Sequence, residues 1–483
     1  MCPKALISRL PSRILDLEPF GGTSDLRLCV DVKSYGRYAT LSHCWGKSQP
    51  LKLMRATYNE FQNEIAYDSL PKTFQDGVTA TRLLGLRYLW IDSLCIIQDS
   101  SHDWEEQCTE MKRIYKDSFV TLAGAAASGC ESGFLHARPA SYDATVQLAD
   151  SGSSCQVILS HSGIDKNPSY PSPEPNSPLM TRAWVLQERL LSARVLYFGT
   201  KKMYLECFTN VQLDDCHYPI KWNYGEVGMV VKSAIDQLGN LTKCFRYWTT
   251  LVMTYSRLDL TNITDRLPAL SGLASDFHST TGARYLAGLW REDMPRALTW
   301  QVTDYEKAAA VSSSDSPSYI APSWSWAATK FGVWFVDSNH EHEFSSDLDI
   351  IATEAPTGRD PFGMVKGGFI EASGRIQRGL IKAPRGYEGS KSRRLYFQDS
   401  SILVSYTLDD SNKAESHEPG VWLLYLGIFS GYTVVAMAVK LVDGGCNTYE
   451  RVGLVTSDAP VRGSDQVFGG IFQDVAKTRI RLI

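Results

Sequence analysis

Three short stretches of this chain set ionisable or nucleophilic side chains against apolar runs that would bury them. In the first, Ser42-His43-Cys44-Trp45-Gly46, an apolar run breaks into polar and aromatic residues. Asp92 follows the continuously apolar Tyr88-Leu89-Trp90-Ile91, and Glu188 is the one carboxylate in the apolar turn of Arg182-Ala183-Trp184-Val185-Leu186-Gln187-Glu188-Arg189. An imidazole, a thiol and two carboxylates are the groups that exchange protons with a substrate or attack an electrophilic carbon. Each also has a plain structural reading. Asp92 suits a helix cap, His43 a satisfied buried histidine and Trp184 the core. Arg182 and Arg189 are placed to pair with Glu188 and make it structural. Cys44 beside His43 suggests a thiolate, but adjacent strand residues point to opposite faces, so His43 is poorly placed as its base.

The surrounding pattern says what must hold these residues. Tyr88 to Ile91 reads as a strand covered on both faces, which puts Asp92 at the carboxyl end, the edge where open α/β sheets bind ligands. Ser100-x-x-Asp103 predicts a capping box, and Trp104, Cys108, Met111 and Tyr115 recur at helical spacing behind it. Phe119 to Gly124 is a second apolar strand, so residues 86–124 form one βαβ unit. Upstream, Tyr38 to Ser42 reads as a strand. A helix is predicted from about Thr73 to Leu84, with Thr73-x-x-Asp76 as a second capping box and Gly85 as its stop. The order strand, helix, strand, helix, strand is that of an α/β domain. Arg182 to Arg189 reads as a short helix with Trp184 and Glu188 on one face, followed by the strand Val195–Phe198 and a hairpin partner at Met203–Cys207.

At 483 residues the chain exceeds one ordinary core, and its 43% hydrophobic content with 12 Trp supplies two or three. The pattern divides into a lead-in arm over residues 1–30, the α/β domain over 31–215, a helical region over 216–318 and a β-rich region over 319–483. A Pro-rich insertion at 150–179 interrupts the α/β domain, where Asn167 to Pro178 can hold neither helix nor central strand. A net charge of −4 with mixed signs gives no basic stripe for nucleic acid. No apolar run reaches the length of a membrane span, and the first residues lack a secretory pattern, so a soluble cytoplasmic protein is expected. Eleven scattered cysteines without a Cys-x-x-Cys pair, and the isolated His340-x-His342, argue against a disulfide framework and against a metal site.

Four blocks together resemble the fungal heterokaryon-incompatibility (HET) domain family: Tyr38 to Gly46, Leu70-Pro71-Lys72-Thr73, Arg87 to Gln98, and Arg182 to Arg189. Looser likenesses follow at Asp265 to Gly272, Ala287 to Trp290 and Ala321 to Trp326, so the chain looks like a stand-alone member, without a phosphate-binding Gly-x-x-x-x-Gly-Lys loop. The resemblance implies a role in incompatibility and cell death. It further implies a TIR-like (flavodoxin-like), largely parallel sheet with helical insertions, followed by the helical segment and the β-rich region. Some TIR domains cleave NAD at the nicotinamide–ribose bond with one glutamate. Carried onto this sequence, that makes Glu188 the catalytic carboxylate, with Asp92 and His43 beside it and with Trp45, Cys44, Trp184 and Arg182 around the substrate. No cofactor is then needed, NAD being the substrate, and the expected partners are that small molecule, an incompatibility protein or a second copy of the chain. Two other functions compete. One is a cofactor-independent cyclase, dehydratase or isomerase of a fungal secondary-metabolite pathway, with an apolar pocket lined by Trp324, Trp326 and Trp334. The other is a self-assembling signalling module with no chemistry.

Overall fold

The computed structural model describes residues 7–19, 21, 24–46, 51–137, 144–150, 153–159, 177–208, 211–213, 239–303, 319–337, 342–382, 392–397, 400–409, 421–429, 433–443, 445–457 and 470–483. Two compact units divide the chain, Met1–Ala234 and Ile235–Ile483.

In the first unit the strands are β1 (Ser8–Arg9), β2 (Ile14–Asp16), β3 (Arg27–Cys29), β4 (Tyr35–Gly36), β5 (Tyr38–Ser42), β6 (Tyr88–Trp90), β7 (Val120–Ala123), β8 (Ala144–Asp150), β9 (Ser153–Leu159), β10 (Arg194–Phe198), β11 (Met203–Cys207) and β12 (Val211–Leu213). Eight of them form one sheet in the order β12-β11-β10-β7-β5-β6-β2-β3. Its four middle strands, β6, β5, β7 and β10, are parallel, with Thr40 opposite both Trp90 and Thr121 and with Leu122 opposite Leu196. These strands read as near-continuous apolar runs because helical crossovers cover both of their faces. The flanks are antiparallel. The sheet as a whole is therefore mixed, not largely parallel, since the four residues from Gly199 to Lys202 between β10 and β11 are too few for a parallel crossover. The stretch expected as a lead-in arm contributes β2 and β3, and Ile14 and Leu15 are fully buried.

The helices of this unit are α1 (Tyr58–Asn63), α2 (Lys72–Leu83), α3 (Asp92–Cys95), α4 (Ser101–Lys116) and α5 (Ala183–Leu191). At α4 the predicted cap forms: Ser100 Oγ accepts from the Asp103 backbone N–H. The Asp103 carboxylate does not reach back to Ser100 but takes Arg13 at 2.7 Å and the Ile97 N–H at 2.8 Å. At α2 the predicted capping box is absent, because the helix starts at Lys72 and Thr73 already lies inside it. Thr73 Oγ1 donates to Gly129 O and accepts from Gly133 N–H, while Asp76 accepts from the N–H groups of Phe134 and Leu135. Both polar residues tie down the 129–135 loop instead. Buried thiols are distributed through this unit at Cys44, Cys95, Cys108, Cys130 and Cys207. The Pro-rich run Asn167 to Asn176 lies outside the described residues.

The second unit contains α6 (Leu241–Tyr255) and α7 (Pro268–Thr281), then a β-rich region whose nine-stranded sheet includes Phe369–Lys382, Val421–Phe429, Thr433–Asp443 and Thr448–Ser457. Trp248, Leu251, Val252 and Tyr255 line the buried side of α6 as their spacing requires. Trp324 and Trp326 are completely buried and Trp334 is 40% exposed. The three do not line one pocket: two are core, and the third carries Arg257 on its ring. Of the histidine pair, His340 lies outside the described residues and His342 Nδ1 faces Asp337 Oδ1 at 2.9 Å. Arg451 is wholly buried, held by the Asp409 carboxylate and by the Leu298 and Trp300 carbonyls. No helix among the described residues is long and apolar enough to cross a membrane.

Candidate functional site

Because β5 and β6 are parallel neighbours with Thr40 opposite Trp90, the residues that leave them, Ser42 and Asp92, emerge side by side at the carboxyl edge. After Ser42 the chain turns through His43, Cys44 and Trp45 to Gly46, which has φ +75°. A Cβ on Gly46 would stand 2.8 Å from the Gly129 Cα, so the turn is pressed against the 129–135 loop and only glycine fits. Arg182, just ahead of α5, donates Nη1 to the His43 carbonyl at 2.5 Å and fixes the turn from the other side.

Asp92 is the first residue of α3, and its side chain is 26% exposed. Oδ2 accepts from Trp45 Nε1 at 3.0 Å and Oδ1 from the Ser93 N–H at 2.7 Å. His43 Nδ1 stands 3.9 Å from Oδ1. The His43 ring is buried with its edge on Phe74, 5.0 Å between centroids. Burial drives its pKa down against the pull of Asp92, with Arg182 adding to the fall, so the ring is neutral at physiological pH. Among the described residues Nε2 has no hydrogen-bond partner.

Glu188 projects from α5 toward this group and is 7% exposed. Burial pushes its carboxyl up to about 7, with the Asp92 charge acting in the same direction and Ser42, Arg182 and Tyr115 opposing. Although Ser42 lies beside it, neither Ser42 Oγ nor Glu188 Oε2 has a partner within hydrogen-bond distance among the described residues. Arg189 does not neutralise Glu188. It points to Glu206 on β11 (2.9 and 3.2 Å), which also accepts from Tyr197 at 2.5 Å.

The expected site residues thus fall into two sets. His43, Trp45, Asp92, Arg182 and Glu188 converge, and Ser42 joins them. Cys44 is buried beside them, but burial raises its thiol pKa despite Arg182, which argues against a thiolate nucleophile. Trp184 turns to α4, edge-on to Trp104 at 6.4 Å. Sequence reasoning passed over Tyr115, which looked like one more apolar-face residue of α4, and Ser42, which looked like a strand end.

A cleft of about 750 Å³ adjoins this group, bounded by the Leu51–Met54 segment, the Asp68–Pro71 turn, Gln98 and Glu131. Lys52 links the two, its ammonium 5.2 Å from the Trp45 ring centroid, and Gln98 Nε2 donates to the Asp92 carbonyl at 3.3 Å. Lys52 carried no sequence signal, because it sits in an irregular segment without period, and Gln98 stood only as the end of the Arg87 to Gln98 block.

No curated protein and no solved structure matches the chain. The family model described as heterokaryon incompatibility protein (HET) matches residues 38–188, the stretch that runs from the first parallel strand to Glu188 and brings the converging residues together. Residues 38–188, within the first unit, thus carry a heterokaryon-incompatibility (HET) domain.

Proposed function

We propose that the HET domain is a TIR-like NAD glycohydrolase acting as an incompatibility and death effector, triggered by a partner protein or a second copy of the chain. The observation that carries this reading is a buried Glu188, without an ion pair among the described residues, at the carboxyl edge of four parallel strands. The order of those strands, second-first-third-fourth in the chain, is that of flavodoxin-like sheets, which bind ligands at this edge. In the reaction the C1′–N bond to nicotinamide breaks and its electron pair stays on the leaving nitrogen. The ribosyl centre becomes cationic, and the Glu188 carboxylate stabilises it. Water then bonds to C1′ and gives its proton to neutral His43 or to Asp92, yielding ADP-ribose. Trp45 and Arg182 serve to orient substrate and turn.

The test is NAD loss, with nicotinamide and ADP-ribose followed as products, for wild type and Glu188→Gln at matched concentration. The glutamine keeps the shape and removes the charge, so turnover is expected to fall at least about 100-fold, as for loss of one electrostatic stabiliser. Equal turnover would remove Glu188 from the mechanism. Since the working form is the carboxylate, the wild-type rate should climb with pH through about 7 and level off above it.

A further inference from the structure

We infer that the cleft beside Trp45 is an adenylate half-site, taking an amino-bearing purine on its apolar floor and a phosphate at Lys52. This deepens the reading above and rests on it for the identity of the reacting half, while binding to the cleft can be measured without any cleavage.

The floor is Leu70, which is buried, with Pro71 and Met54 half-exposed beside it, a surface suited to the face of a purine. The rim carries two exposed carboxylates, Asp68 and Glu131. An ionised carboxylate only accepts hydrogen bonds, so this rim favours a base that presents an exocyclic amino group over one that presents a carbonyl oxygen. Lys52 is the one cation among the lining residues and pairs with neither acid.

The backbone of Lys52 is fixed. The next residue, Leu53, exchanges hydrogen bonds with Ser93 O (2.8 Å) and Gln98 N–H (2.9 Å), and the Lys52 carbonyl accepts from Thr57 Oγ1 at 3.5 Å. Its ammonium rests on the Trp45 ring, a weaker hold than a charge-assisted bond to phosphate, so an incoming phosphate can draw it away. The same indole holds Asp92, which places a phosphate at Lys52 next to the reacting end of the site. A cleft of about 750 Å³ is within the range of small-molecule sites.

Calorimetric titration of the full chain with ADP, IDP and adenosine tests the assignment, on wild type, Lys52→Met, and the double variant Asp68→Asn with Glu131→Gln. All three altered side chains are exposed or half-exposed, and circular dichroism checks that the variants fold. ADP is expected to bind at least tenfold tighter than adenosine and at least fivefold tighter than IDP. Lys52→Met should erase the first advantage and the double variant the second. Equal affinity for the three ligands, no ADP binding at millimolar concentration, or unchanged ADP affinity in Lys52→Met would each overturn the half-site. NAD consumption by the same samples separates the two readings. Cleavage without ADP binding sinks the half-site and spares Glu188; ADP binding without cleavage does the reverse.

Discussion

Two glutamates one turn of helix and one strand apart meet opposite fates, and the difference sets how each responds to mutation. Glu206 is buried but holds Arg189 and Tyr197, so Glu206→Ala removes one partner of a buried ion pair and is expected to cost about 3–5 kcal/mol in chemical unfolding. Glu188 is buried without an ion pair among the described residues and its carboxyl is pushed up to about 7. A carboxyl with a raised pKa binds more protons in the folded than in the unfolded chain, so stability is fully present below about 4.5 and is lost as pH rises through about 7. Glu188→Gln removes that titration. The variant should match wild type near pH 5 and exceed it above pH 7.5, by on the order of 3 kcal/mol, measured as unfolding free energy against pH. Greater stability with less activity would mark Glu188 as a residue kept for chemistry. A single acid in an apolar turn was visible in the sequence. Its lack of a partner was not, because Arg189 is adjacent in sequence yet leaves the helix on the side of β11.

At the scale of elements, α2 and α4 began with the same apparent signature and were built differently. Ser100 caps α4, whereas Thr73 and Asp76 face inward and bind backbone groups of the 129–135 loop. A Ser/Thr-x-x-Asp pattern records which groups are available and not whether solvent or another loop lies opposite, so the helix was legible over nearly its whole length and its partner was not. The consequence is measurable. Ser100→Ala should cost about 1 kcal/mol, the ordinary value of a cap. Asp76→Ala orphans two backbone N–H groups inside the fold and should cost about 2–4 kcal/mol in urea unfolding. Because the 129–135 loop presses on Gly46, Asp76→Ala is also expected to weaken NAD turnover, whereas Ser100→Ala should not.

At the scale of the whole molecule each unit has its own buried apolar core and its own buried arginines, Arg13 and Arg189 in the first and Arg266 and Arg451 in the second. A chain ending at Ala234 is therefore expected to fold, with a cooperative thermal transition and the same ADP affinity as the full chain; a molten far-ultraviolet spectrum without a transition would contradict this. Periodicity located β5, β6, β7, β10 and β11 with α2, α4 and α5 in the first unit, since a buried strand or helix face writes itself into local spacing. It could not say that residues near 14 and 27 close one edge of the sheet, because strands of three residues are too short to show a period. One further property follows from where the sulfur atoms lie. Cys44, Cys95, Cys108, Cys130 and Cys207 are shut inside the first unit, while Cys446 in the second is exposed. A thiol-reactive dye should label Cys446 ahead of these five, although Asp443 raises its thiol pKa. The slow labelling of those five would then be a clock for the opening of the first unit, with Cys44 reporting from beside Glu188.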